Sequence, residues 1–470
     1  MPWALLAPAL PLLAVNVGLW IVFDLAHHLP LVLALLGPAF LWLSWSARRL
    51  ELARASGRAF AAAVLAGALL LRLPMLPLPL TLSDDALRYL WDGKVAAAGY
   101  NPYALTPQAE ALTLLRDEAW QRVPHPQVPT VYPPLSIAAF SIAARLPNPI
   151  LAWKALVTAA DLLGCWLLLG LARRLSIPPQ RTVWYAWNPL VALEVAGMGH
   201  VDALGVAAAL GAVFCLTGLA RRQPLATDEK CVPAASPRDA CAARGIWAAA
   251  TWMAAGVLAK LLPLAALLMW SRQSRRPARV LIAVLVMAAA AGLPVVVATG
   301  GLPRGLVTYA VSWEFNGPLF EPLWRLLDAA GAAPAAARLL DAAKRASGEY
   351  TLFNPLYPFL YPQLMAKVLL GAGMVAAVAA SLGQVRPARG TGKLFAWLLL
   401  LSATVYPWYL LWVLPWAALY RHTAWLALSG LILLSYLPQA TGLHLMPWVF
   451  LAIWAPFGVL SLAGRRWSSA

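Results

Sequence analysis

The sequence predicts an all-α polytopic membrane protein, and three observations carry that prediction. Of its 470 residues, 61% are hydrophobic and only 12% charged, with a mean hydropathy of +0.70. Apolar runs near the roughly 20 residues that a membrane-crossing helix needs recur from one end to the other. The basic residues gather in short loops: about 22 of the 36 Lys and Arg lie there, beside only about four acids. Those loops hold Arg48, Arg49, Arg54 and Arg58; Arg173, Arg174 and Arg181; the stretch 221–245; the stretch 272–279; Arg386 to Lys393; Arg421; and Arg465 with Arg466. Such placement makes the net charge of +17 a topology signal, and a nucleic-acid partner is not expected.

Placing every basic loop inside threads the chain through about 12–14 membrane segments. The first run, 3–23, is too long for a signal-peptide core and has no small-residue cleavage site before Asp24, so it reads as an uncleaved span. Spans at 30–46 and 59–78 leave residues 79–132 outside, and the Pro-flanked stretch 133–146 reads as re-entrant or interfacial. A crossing at 150–172 precedes spans 182–198 and 201–220, which flank an outer turn at Gly199-His200. The basic loop 221–245, with Pro and mixed charge, reads as flexible. Because 271–279 is basic too, two short passes must lie between these loops, turning outside near Lys260 and Pro263. A span at 280–299 leads to a second outer loop, 300–358, and 359–383 returns. Another short pair at 394–420 turns at Tyr406-Pro407-Trp408-Tyr409, before spans 424–440 and 447–464. The chain divides into N-terminal spans (1–58), a core (59–420) and C-terminal spans (421–470).

The thiols carry little. Cys165 and Cys215 fall in spans, and Cys231 and Cys241, nine residues apart with no His near, are read as reduced and structural. His27, His28, His125, His422 and His444 have no recognisable partners in sequence, and structural roles are expected for them.

The polar clusters all fall on the predicted outer face. In the run from Ser83 to Gly93, Ser83 reads as an N-cap with Asp84 and Asp85 in the first helical turn. Helical spacing places Asp85, Arg88 or Tyr89, and Asp92 on one face, and Leu87, Leu90 and Trp91 on the other. That pattern predicts an amphipathic helix on the membrane surface with its polar face aimed at a cavity, ended at Gly99 and followed by the turn at Asn101-Pro102-Tyr103. Capping alone needs neither Arg88 nor Asp92. Glu194, His200 and Asp202 surround the second outer turn and suit either a divalent ion or polar substrate groups, with a hydrogen-bonded structural turn as the other reading. Lys260 sits in apolar surroundings beside the break at Pro263, where a cation either snorkels to the interface or meets an anionic headgroup. Asp161 is mid-span and must face protein or water; it is the residue that points to a transport pathway.

In chain order, DDALRYLWDGKVAAAGYNPY, VYPP, WNPLVALEVAGMGHVDA, the Lys260-Leu261-Leu262-Pro263 segment, WEFNGPLF and YPWYLLW resemble bacterial polyprenyl-phosphate-mannose-dependent mannosyltransferases. Those enzymes belong to the GT-C superfamily, and the likeness spans roughly 59–420. The resemblance implies a GT-C membrane fold with outer-face helices, and an active site facing the exterior or periplasm of a bacterial inner membrane. It implies a sugar, most simply mannose, moving from a polyprenyl-phosphate donor to an envelope glycan or glycolipid with inversion. The lipid-linked donor is then a co-substrate, membrane lipid a partner, and a divalent cation remains open as cofactor. Carried over, Asp85 or Asp84 is the general base, with Asp85 favoured because related enzymes place an acid three residues before an Arg-Tyr pair. Arg88 and Lys260 offset phosphate charge, and His200 and Asp202 hold donor or acceptor. Tyr132 and Trp408 pack against sugar or isoprenoid. Tyr89, Asp92, Asn101, Tyr103, Glu194 and Asn316 complete the expected substrate-binding set. Lys94 stands where Arg is expected and keeps the charge. The rival reading is a transporter or flippase, in which Asp161 outweighs the outer acids.

Overall fold

The computed structural model describes residues 3–221, 237–274, 276–301, 303–441 and 446–464. Cys231, the side chain of Cys241, most of the basic loop 221–245, His444, Arg465 and Arg466 lie outside the described residues. Among those described, the regular elements are all helical, and Thr404 makes isolated bridges to Phe315 and Asn316.

Six helices are long and apolar enough to cross a bilayer: Ala4–Val22, Leu29–Leu52, Gly57–Met75, Pro149–Arg174, Pro277–Thr299 and Pro362–Ser381. A further candidate is broken, with Pro189–Gly197 and Asp202–Gly218 bent by 119°. The short passes expected around Lys260 and around 406–409 are there as half-length pieces, interrupted by 3₁₀ turns at Leu262–Ala266 and Pro407–Trp412. Pro263 and Pro407 open those turns, because a ring nitrogen can neither donate to the preceding turn nor fit beside its carbonyl. The chain is an all-α polytopic membrane protein. Irregular backbone at membrane depth is tolerated where protein buries it or a cavity is lined by it. Both breaks here line one cavity.

The segment that follows the helix Gly57–Met75 departs from expectation. The helix Asp85–Ala97 is enclosed, with Arg88, Asp92, Leu87, Leu90 and Trp91 all buried. Two things cover it. Trp91 and Val95 pack with Leu112 of the 3₁₀ helix Glu110–Leu115 and with Val123, which follows the 3₁₀ helix Glu118–Arg122, and the helix Pro134–Ala144 lies against the opposite face. Gly93 permits that approach, since a Cβ there would fall 2.4 Å from the Phe140 carbonyl carbon. Amphipathic helices with exposed faces do occur between positions 300 and 358, as Phe320–Ala329 and Ala332–Ser347. Phe320 packs there with Ala366 and Leu370.

Asp161 faces protein. The Arg72 guanidinium lies 2.6 Å from it, and the Tyr185 hydroxyl donates at 2.7 Å. Arg72 also donates to the Ala68 and Ala186 carbonyls, each at 2.8 Å. Both charges are fully buried, so the cluster locks the helix Gly57–Arg72 to Pro149–Arg174 and offers no exposed carboxylate to a passing solute. Removing one member leaves the other charge uncompensated. Asp161→Asn is therefore expected to cost about 3–5 kcal/mol, read as a lowered thermal midpoint in detergent, with much of the loss recovered when Arg72→Met is added.

Candidate active site

The site is built where three interrupted elements meet. The helix Asp85–Ala97 begins one of them, and the Ser83 hydroxyl accepts from the Asp85 backbone N–H at 3.3 Å. Asp84, not Ser83, holds the N-cap position; its side chain turns outward to Arg122 at 2.5 Å, with 40% of its surface open. Asp85 points the other way, into the protein, and keeps 30% of its side chain open.

The second element is the broken helix. A π-helical turn, Ala192–Gly197, precedes Gly199 at φ +76°, a conformation that favours glycine, and the Trp153 indole clamps the Gly199 carbonyl at 2.6 Å. The break turns His200 towards Asp85 and starts a new helix at Asp202, where a carboxylate suits the positive helix end. The third element supplies Lys260, which follows the last turn of Pro237–Ala259; the Ser136 hydroxyl donates to the Ala259 carbonyl at 2.6 Å.

Asp202 joins two of these elements. It takes Lys260 Nζ at 3.2 Å on Oδ2 and the Trp412 indole N–H at 2.6 Å on Oδ1. Lys260 also lies 5.9 Å from the Tyr132 ring centre and 5.6 Å from that of Tyr409, within cation–π range. Asp85 is held more loosely, by the Tyr89 hydroxyl at 3.4 Å. Burial pushes its carboxyl up to about 6; Lys260 pulls against that rise, Asp202 adds to it, and Tyr89 and Arg88 pull down.

These groups open on a cavity of about 970 Å³. Its polar end carries Asp84, Asp85, Arg88, Asp202 and Lys260, and Tyr132, Tyr309, Tyr406, Trp408 and Tyr409 form its aromatic wall. An apolar arm continues between Leu261, Leu264, Met374, Val378, Phe395 and Leu399. Aromatic stacking steadies the wall. Phe315 lies on Tyr406 at 4.6 Å, Tyr406 on Trp408 at 4.5 Å, and Trp408 on the His200 ring at 3.8 Å.

With that geometry in place, comparison with known proteins is informative. The model of the family described as alpha-(1->6)-mannopyranosyltransferase, N-terminal domain, matches residues 3–293. The chain belongs to this family. No curated protein and no solved structure matches it. The matched region of this mannosyltransferase contains Asp85, His200, Asp202 and Lys260; Asn316 and Trp408 lie beyond it.

Other residues expected at the site have particular places. Arg88 borders the cavity, but its donors go to Asp92 at 2.9 Å and to the carbonyls of Pro124, His125 and Val128. It clamps the loop over the helix, and burial pushes the Asp92 carboxyl up against the pull of that guanidinium. Asn101 caps its own turn by accepting from the Tyr103 N–H at 2.9 Å, and the Tyr103 hydroxyl donates to the Tyr132 carbonyl at 2.8 Å. Asn316 is buried with φ +53°, and its Oδ1 accepts from the Trp454 indole at 2.9 Å. None of Asn101, Tyr103 and Asn316 lines the cavity. Glu194 is buried beneath Tyr436, whose hydroxyl reaches its two oxygens at 3.0 and 3.2 Å. Among the described residues no group of three or more His, Cys, Asp or Glu side chains is arranged to hold a metal ion, so Glu194, His200 and Asp202 do not form one.

Sequence reasoning missed Arg122, Trp412 and Tyr436 as partners of Asp84, Asp202 and Glu194. Tyr436 is 242 positions from Glu194 and carries no local signal. The position of Asp85 depends on how closely its helix approaches Pro134–Ala144. Gly93→Ala is expected to force those backbones apart at a cost of about 1–3 kcal/mol or more, seen as a lower thermal midpoint. An unchanged midpoint would contradict this packing.

Proposed function

We propose that this mannosyltransferase moves mannose from a polyprenyl phosphate to a hydroxyl of an envelope glycan or glycolipid, with inversion, and that Asp85 is the base. The observation that carries the reading is the two-ended cavity: an acid and a cation at one end, and a long apolar arm at the other. An isoprenoid fits such an arm, and a phosphate leaving group needs a cation where charge develops. Asp85 accepts the proton of the acceptor hydroxyl, and the freed oxygen pair attacks the anomeric carbon from the face opposite the leaving group. The sugar–phosphate C–O bond breaks, and its electron pair leaves on the phosphate, whose charge Lys260 offsets. Asp85 is preferred to Asp84 because Asp84 is already paired with Arg122 at the rim. Arg88 serves by holding the loop 123–128 in place; Tyr132 offers a face to sugar or isoprenoid, whereas the faces of Trp408 are taken by Tyr406 and His200 and only its edge reaches the cavity.

The threading supports an outward-facing site. Arg58 opens the helix Gly57–Met75, whose 19 residues span about 28 Å at 1.5 Å each, and the acids follow its far end. That length matches a bilayer core, which supports a reading with Asp85 on the side opposite the basic loops. On this reading the protein sits in a bacterial inner membrane with its cavity facing the periplasm or exterior.

Transfer from polyprenyl-phosphoryl mannose into the lipid and glycan fraction of the protein's own membranes tests the reading. Asp85→Asn is expected to lower the rate by a factor on the order of 100 to 10,000 while the purified protein stays folded, and Asp84→Asn to lower it far less. Lys260→Met is expected to lower kcat strongly as well. Since a protonated carboxyl cannot take a proton, the wild-type rate should fall as pH drops through about 6. Full activity of Asp85→Asn would refute the assignment of the base.

A further inference from the structure

Behind Asp85, on the side away from the cavity, lies a group that the transfer chemistry leaves unused. His200 is 0% exposed, yet neither ring nitrogen has a hydrogen-bond partner. Two unmet polar atoms in an apolar interior are costly, so their placement needs a reason. Each nitrogen faces a carboxylate. Nε2 lies 3.2 Å from Glu194 Oε2, and Nδ1 lies 3.8 Å from Asp85 Oδ2. The ring cannot easily turn, because Trp408 covers its face with 12° between the planes, and the His200 backbone N–H is fixed to the Glu194 carbonyl at 3.0 Å. Tyr436 in turn holds both oxygens of Glu194.

We propose that His200 and Glu194 form a proton outlet for Asp85, a positioning pair that acts through the base and does not touch substrate. The proposal rests on Asp85 being the base. A neutral imidazole has one N–H and one lone pair. With Nε2–H facing Glu194, the Nδ1 lone pair faces Asp85. Against a carboxylate that lone pair is repelled, which fits the longer of the two separations; against a carboxylic acid it accepts a hydrogen bond. When the acceptor O–H breaks, its electron pair forms the new bond to the sugar and its proton lands on the Asp85 carboxyl. The Asp85 O–H bond then breaks, its pair stays on the carboxylate, and the proton joins Nδ1. The resulting imidazolium has the Asp85 carboxylate at Nδ1 and Glu194 at Nε2 to offset the burial of its charge, and Asp85 is a base again while lipid still fills the arm.

The test uses the purified full chain in the transfer assay above, with His200→Ala, His200→Gln and Glu194→Gln. The surrounding charges on Arg88, Asp202 and Lys260, and the phenols Tyr89, Tyr132 and Tyr436, stay in place in all three, so a changed pH profile reports the pair. The His200 variants should lose kcat by a factor on the order of 10 to 100, and Glu194→Gln should lose it in the same direction. KM for the donor should stay within about threefold, as expected when a group acts on the chemical step and not on binding. In His200→Gln the acid limb should move to lower pH, because the Nδ1 lone pair, which repels the Asp85 carboxylate and accepts from its acid form, is gone. Imidazole added to His200→Ala should restore part of the rate.

Folded variants with unchanged kcat and an unmoved acid limb would overturn the outlet. A loss in His200→Ala that imidazole does not relieve and Glu194→Gln does not share would mean that His200 only packs beneath Trp408, and would overturn it too. A wild type inactive with this donor would overturn the assignment of Asp85 and the outlet together; an active wild type with unaffected variants would overturn the outlet alone.

Discussion

An ionised side chain inside an apolar protein must be matched by a partner, because no water is at hand to solvate it, and this constraint organises the whole molecule. Asp161 meets Arg72, Asp92 meets Arg88, and Asp202 meets Lys260 and Trp412. The first and the last are also ties between distant segments: 89 positions separate Arg72 from Asp161, and 58 separate Asp202 from Lys260. Asp85 is matched less closely than any of them, with its nearest polar neighbours at 3.4 and 3.8 Å and part of its surface facing the cavity. The carboxylate that can still react is the one whose needs the fold has not met.

Matching charge also explains why the helices break where they do. A continuous helix through 189–218 would send Glu194, His200 and Asp202 to different depths and faces. The 119° bend and the π turn bring them to one level, behind and beside Asp85. The stack from Phe315 through Tyr406 and Trp408 to His200 then connects the segment 300–358 to the same place. Two irregular loops, far apart in sequence, are thereby held in register with the acidic helix by rings lying nearly parallel.

Much of this was legible in the sequence, for identifiable reasons. Hydropathy located the six long apolar helices because a bilayer sets a minimum length for each crossing, while the expected segments, about 12–14, exceed the six, or seven with the broken helix, that are long and apolar enough among the described residues. The acids at 84 and 85, the turn at His200, Lys260 and the aromatics at 406–409 stood out because polar or aromatic residues are rare and costly in such a chain. The helix Asp85–Ala97 was misplaced on the membrane surface because its two-faced pattern is the same whether water or another helix meets the polar side; Arg88 and Asp92 satisfy each other within a covered helix. Asp161 misled for a related reason, since its partners Arg72 and Tyr185 lie on other helices. Tyr436 and Trp412 were invisible because a phenol or an indole in an apolar run looks like core until its acceptor is known.

The apolar arm has a consequence for how the protein would meet its substrates. Its walls come from Pro362–Ser381, a helix long and apolar enough to cross a bilayer, from Pro387–Leu400 and from the turn after Lys260. On the proposed chemistry the donor would slide in from the plane of the bilayer, never crossing bulk water. Its effective abundance would then be a surface density, fixed by how many donor molecules share the leaflet with other lipids. Swelling the membrane or diluting it with inert lipid would slow turnover at constant total donor, whereas changing the aqueous volume would not.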